Sequence, residues 1–164
     1  MKIILLVTAL ISTSSFAIQD SDSIVHLGAR TRFVVLNDFE IPANASALWT
    51  CGNKLSTTSC TNTRRSIVRW TNSCYLIVSP SKETRKLAKG SVLTVRRAFE
   101  VDSAGQVDFN SWVIKGLRCT ESESGGYGHV YYPPDFKQVR VLTQGIFQIV
   151  EPTPKEISAE NICR

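Results

Sequence analysis

Ser91-Val92-Leu93-Thr94-Val95-Arg96-Arg97-Ala98-Phe99-Glu100-Val101-Asp102-Ser103-Ala104-Gly105-Gln106-Val107 decides the fold. Successive side chains of a strand point to opposite faces, so a half-buried strand alternates apolar and polar residues. Leu93, Val95, Arg97, Phe99 and Val101 form one mostly apolar set, and Val92, Thr94, Arg96, Ala98 and Glu100 the other. The run breaks at Asp102-Ser103-Ala104-Gly105, a turn-forming tetrapeptide, and resumes from Gln106 to Arg118. Two extended runs joined by such a break read as an antiparallel hairpin.

The same signal recurs outward from this hairpin. Thr31 to Leu36, Ala47-Leu48-Trp49, Ser66 to Trp70, Cys74 to Val78 and Gly145 to Val150 are short β-branched and aromatic runs bounded by turn residues. Thr71-Asn72-Ser73 reads as the turn of another hairpin. Such spacing predicts a mainly β fold, a small antiparallel barrel or sandwich. Helix signals are few. Lys82 to Lys89 has the composition for two turns before Gly90 stops it. Thr153, Pro154 and Glu156 make an N-cap, a first-position proline and a capping box, which predict a short C-terminal helix over Pro154 to Ile162.

The chain has 164 residues, 43% of them apolar and 20% charged, a composition suited to one globular domain. It opens with Lys2, an apolar run from Ile3 to Ile11, and Ser15-Phe16-Ala17. A basic start, a short apolar stretch and a small-x-small exit form a secretory signal peptide, which predicts cleavage after Ala17 and a single secreted β domain over residues 18–164. The apolar run falls short of the roughly 20 residues that a membrane span requires. The expected location is periplasmic or extracellular. Asn44-Ala45-Ser46 matches a glycosylation acceptor, relevant only in a eukaryotic route.

Cys51, Cys60, Cys74, Cys119 and Cys163 all follow the signal. Exported thiols meet an oxidising compartment, and spacing alone does not fix their pairing. Cys51 and Cys60 bracket a polar, turn-rich stretch, while Cys74 and Cys119 lie at the edges of strand-like runs. These features favour Cys51–Cys60 and Cys74–Cys119, with Cys163 left over. His26 and His129 have no context tying either to a cysteine, and no C-x-x-C is present. The sequence therefore calls for no catalytic residue, metal or cofactor.

Charge is uneven. Removing residues 1–17 takes away one lysine and lowers the formal charge from +5 to +4. Between Lys54 and Arg97, ten basic residues face one acid, Glu83. Concentrated positive charge draws anions. Arg64, Arg65, Arg69, Arg85 and Lys86 are the expected polyanion-binding residues, with acidic envelope glycan, lipid headgroups or an envelope protein as partners. Nucleic acid is a weaker reading, since strand aromatics more often belong to the core. Strict alternation along Ser91–Val101 would set Arg96 and Arg97 on opposite faces.

Ser124 to Phe136 holds three glycines, three tyrosines and two prolines, and reads as a long loop. Tyr127, His129, Tyr131 and Tyr132 are its candidate ligand residues. Its glycines match no phosphate-cradling pattern. The sequence thus predicts an exported, non-enzymatic binding or structural protein of the cell envelope. The alternative is an envelope-acting hydrolase or hydrolase inhibitor using Gly125–Phe136.

Overall fold

A computed structural model describes residues 19–60, 72–125 and 128–153, with backbone only for residues 123–125 and 129. The signal segment, Arg64, Arg65, Arg69, the Ser66–Trp70 run, Tyr127, the Pro154–Ile162 helix and Cys163 lie outside the described residues, as does the side chain of His129.

Eleven described strands and one helix follow in order. They are β1 (Arg32–Val35), β2 (Phe39–Ile41), β3 (Ala47–Cys51), β4 (Lys54–Ser56), β5 (Ser73–Val78), β6 (Arg85–Leu87), β7 (Val92–Val101), β8 (Ala104–Phe109), β9 (Ile114–Gly125), β10 (Gly128–Tyr132), α1 (Phe136–Thr143) and β11 (Phe147–Val150). The main sheet runs β11-β1-β7-β8-β9-β5-β3-β4, with β10 added to β9, and every pairing is antiparallel. It curls into a half-barrel. β2 and β6 make a separate two-stranded ribbon. The protein is therefore mainly β, as the patterning implies, and carries a short helix near its C-terminal end.

Period-2 alternation builds the core. Across the inner face, Ala98 pairs with Val107, Val107 with Leu117, Leu117 with Leu76, and Leu76 with Leu48. Leu48, Leu76, Val107 and Leu117 are buried. Phe33 meets Phe109 and Phe147 edge-on at 5.1 and 5.6 Å, the favoured geometry for aromatic rings. Helix α1 adds buried Phe136, Val139 and Thr143 to this core. Asp135 caps it by accepting a hydrogen bond from the Gln138 N–H at 2.8 Å.

The N-terminal segment also enters the core. A single 3-10 turn at Ile24–His26 buries Ile24, which packs against Gly105 of β8. Backbone bonds tie this segment to the start of α1: Ile24 N–H to Pro134 O, Phe136 N–H to Asp22 O, and Lys137 N–H to Asp20 O.

Both expected disulfides are present. Cys51–Cys60 joins the end of β3 to the stretch after β4, with Cα atoms 5.6 Å apart. Cys74 and Cys119 are directly opposed on β5 and β9, with Cα atoms 4.1 Å apart, and both are buried.

Several elements differ from the sequence reading. The Lys82–Lys89 region forms strand β6, because pairing with Phe39–Ile41 buries Leu87 and Ile41, and tertiary pairing overrides a weak helix propensity. Gln106–Arg118 is two strands, interrupted at Asn110–Val113. The described helix lies at Phe136–Thr143, where no helix was expected. The Ser124–Phe136 stretch is not one long loop: its first part is a hairpin in which Gly125 opposes Gly128 and Tyr132 opposes Glu121. The β7–β8 turn centres on Asp102 and Ser103, both at positive φ (48° and 59°), a primed turn whose twist suits a hairpin.

Candidate functional site

The alternation of β7 fails at Arg96. Val95 opposes Phe109, and the next paired residue, Arg97, opposes Asp108. The extra residue is a β-bulge, which re-aims side chains. It corrects the expectation that Arg96 and Arg97 diverge. Both guanidiniums reach Asp108: Arg97 Nε donates to Oδ2 at 2.7 Å, and Arg96 donates to the same oxygen at 3.4 Å.

Asp108 is the hub of an outer-face network. Gln106 Nε2 donates to Asp108 Oδ1 at 2.8 Å, and Gln106 Oε1 accepts from Arg118 Nε at 2.9 Å and from its terminal nitrogen at 2.6 Å. Burial alone would raise the Asp108 pKa, but hydrogen bonds from Gln106 and Arg97, the Arg97 charge and a hydrogen bond from Arg96 hold it below its ordinary 3.8. Gly116, opposite Asp108 on β9, leaves this side of the sheet clear; a Cβ there would lie 2.5 Å from the Val107 carbonyl.

An outer row crosses five strands in register: Phe99, Gln106, Arg118, Tyr75 and Trp49. Trp49 and Tyr75 have ring centroids 4.9 Å apart. Arg97 lies 4.8 Å over the Phe99 ring. Aromatic rings thus flank the polar Gln106–Arg118 pair on a half-buried surface.

Where β8 gives way to β9, a cleft of about 280 Å³ opens between Arg96, Asp108, Asn110, Ser111, Trp112 and Lys115. Ser111 Oγ accepts hydrogen bonds from Val113 and Ile114 N–H at 3.3 and 3.2 Å, which fixes the turn that carries Trp112. Trp112 is 88% exposed. Lys115 Nζ lies 4.9 Å from the centre of its ring, within cation–π range.

The expected polyanion residues that are described lie on the β2–β6 ribbon, not in this cleft. Arg85 is half-buried and donates a terminal N–H to Ser79 O. Lys86 is exposed but pairs with Asp38 at 2.7 Å. That hydrogen bond, together with one from the Lys89 N–H, lowers the Asp38 pKa. Tyr131 and Tyr132 are neighbours on β10, the first exposed and the second half-buried, with Val130 exposed beside them. Within that hairpin, Glu121, opposite Tyr132, accepts from Asn72 Nδ2 at 3.5 Å. Burial, then the Asp135 charge, push its pKa above the ordinary 4.5.

Sequence reasoning missed Asp108, Trp112 and Lys115. A signal for Trp112 was present: Asn110-Ser111 are turn formers inside an otherwise extended run. No family model, curated protein or solved structure matches this chain. Among the described residues, no helix is long and apolar enough to cross a membrane.

Proposed function

We propose that the protein is an exported, non-enzymatic binding protein of the cell envelope that engages acidic polymers. The observation that carries this reading is the Arg96 bulge. It sets Arg96 and Arg97 on one face around a single carboxylate, leaving that group with a net positive charge, and Lys115 adds another beside it. Arg96 and Arg97 are each more than 60% exposed at their side chains, so their outer donors meet solvent and any polymer passing over the sheet. Arginine forks suit carboxylate and phosphate groups. The two disulfides support the location, since such bonds persist in oxidising compartments. The basic excess between Lys54 and Arg97 adds a long-range attraction that orients the encounter.

The test is retention of the oxidised protein on immobilised polygalacturonate as salt rises. Screening shortens from ~10 Å at 0.1 M to ~3 Å at 1 M, so retention should fall steeply across that range. An Arg96→Gln/Lys115→Gln double variant should elute at lower salt than the wild type. An Arg64→Ser/Arg65→Ser/Arg69→Ser variant measures what the central segment adds. A wild-type protein that is not retained at low salt would refute the reading.

A further inference from the structure

We infer that the cleft between the Arg96 bulge and the Trp112 turn is a subsite for one carboxylated sugar unit of an acidic glycan; this deepens the polymer-binding reading and rests on it. Three observations converge. The first is Trp112 itself. Tryptophan is normally among the more buried side chains, yet here it is 88% exposed on a turn pinned by two hydrogen bonds to Ser111. A held, exposed indole offers a flat face at little conformational cost. The C–H face of a pyranose ring is complementary to it, whereas a bare phosphate has no use for it.

The second observation is the placement of charge. Lys115 sits over the indole at 4.9 Å, and Arg96 lines the same cleft from the bulge. A sugar stacked on Trp112 would therefore have an ammonium and a guanidinium within reach of its carboxylate. Asp108 also lines the cleft, but it does not repel an incoming anion. Both its oxygens already accept hydrogen bonds, Oδ1 from Gln106 and Oδ2 from Arg97 and Arg96, and two arginine charges outweigh its own. It holds Arg97 closely, at 2.7 Å, while Arg96 reaches the same oxygen from the rim at 3.4 Å.

The third observation is size. At about 280 Å³ the cleft lies just below the ~300–1,000 Å³ of sites that enclose drug-sized ligands. It suits one ring of a chain that continues in both directions over the sheet surface, not a whole enclosed molecule.

The experiment titrates the oxidised full chain with trigalacturonic acid, its neutral methyl ester, and phosphatidylglycerol vesicles. Calorimetry reads affinity, and the part of the tryptophan fluorescence that Trp112→Ala removes reports on that ring, since Trp49 and Trp70 also emit. Trigalacturonate should bind the wild type at least tenfold more tightly than the ester does. Trp112→Ala should weaken trigalacturonate binding at least tenfold, and Lys115→Gln several-fold, with both variants keeping the wild-type circular dichroism spectrum. Absence of trigalacturonate binding, or equal binding by Trp112→Ala, overturns the subsite. Equal binding of acid and ester overturns the carboxylate assignment. Trp112-dependent binding of the vesicles as tight as that of trigalacturonate would assign the cleft to a lipid headgroup instead. Salt-sensitive retention of Trp112→Ala on the polymer column, unchanged from wild type, would remove the subsite yet leave the polymer-binding reading standing; loss of wild-type retention would remove both.

Discussion

Replacing Asp108 with asparagine keeps the side chain's shape and removes the charge that joins β7 to β8 at the bulge. The carboxylate receives one hydrogen bond from a neutral amide and two from guanidiniums, at 2.8, 2.7 and 3.4 Å. A charge-assisted bond contributes about 1.5–3 kcal/mol when shielded and a neutral one about 0.5–1.5. The arginine side chains are 63% and 62% exposed, so solvent screening brings their share toward the ~0–1 kcal/mol of surface pairs. The 3.4 Å contact adds little. Together these give about 1–2 kcal/mol for Asp108→Asn at neutral pH. The pH dependence fixes the sign. A carboxyl whose folded pKa is depressed contributes stability that is fully present above its unfolded value, near 3.8, and is lost as pH falls through the folded value. Urea denaturation of both proteins at pH 7 and at steps from pH 4 downward should show a midpoint gap at pH 7 that narrows on acidification, with unchanged m-values. A double-mutant cycle with Arg97→Gln should return a coupling of about 0.5–1 kcal/mol, larger than that with Arg96→Gln. A variant as stable as wild type at pH 7, or a gap independent of pH, would refute the account of Asp108 as the ionised hub of the bulge.

Glu121→Gln should act in the opposite direction. Burial raises its folded pKa, so its favourable contribution exists below the ordinary 4.5 and is lost as pH rises through the folded value; the variant should have a higher urea midpoint than wild type at pH 7 and match it near pH 3. Gly105→Ala should lower Tm, at a cost of about 1–3 kcal/mol, because the added methyl would run into Ile24 Cγ2 and lie 3.3 Å from Pro133 Cβ. The paired Cys74→Ala/Cys119→Ala variant should lose up to about 4 kcal/mol, the loop-closure ceiling for its separation of 45 residues, and Cys51→Ala/Cys60→Ala up to about 2.7 for a separation of 9; thermal denaturation of each checks the order.

What was legible in the sequence was composition bounded by turns. Thr31–Leu36 and Cys74–Val78 are short β-branched and aromatic runs, and both are strands within a residue of their expected bounds, with burial alternating along each. The disulfide pairing followed from position: a turn-rich bracket in one case and strand edges in the other. Lys82–Lys89 was misleading because its lysines, leucine and alanine favour helix locally, while the burial of Leu87 against its ribbon decides the outcome. The helix at Phe136–Thr143 carries two valines and a threonine and no acid in its first turn, so propensity argued against it. Its buried Phe136, Val139 and Thr143 hold it by packing. The site was hidden for a different reason. A bulge is one residue out of period, and nothing in Val95-Arg96-Arg97-Ala98 announces which residue is extra. Asp108 could be named as the arginines' partner only after the β7–β8 register was known.

The insertion of Ile24 has a kinetic consequence. The segment from Asp20 to Ile24 emerges early from any ribosome or translocation channel, yet its backbone partners Pro134, Phe136 and Lys137 follow more than a hundred residues later. Its socket at Gly105 is also distant in the chain. Closing loops of that length is entropically slow, so contacts of high sequence separation form late in folding. The head of the chain must therefore wait, uncommitted, while the central hairpins assemble from near neighbours. Docking of Ile24, like the β1–β11 pairing of similar separation, is expected to follow those hairpins, and it joins the sheet to the helix.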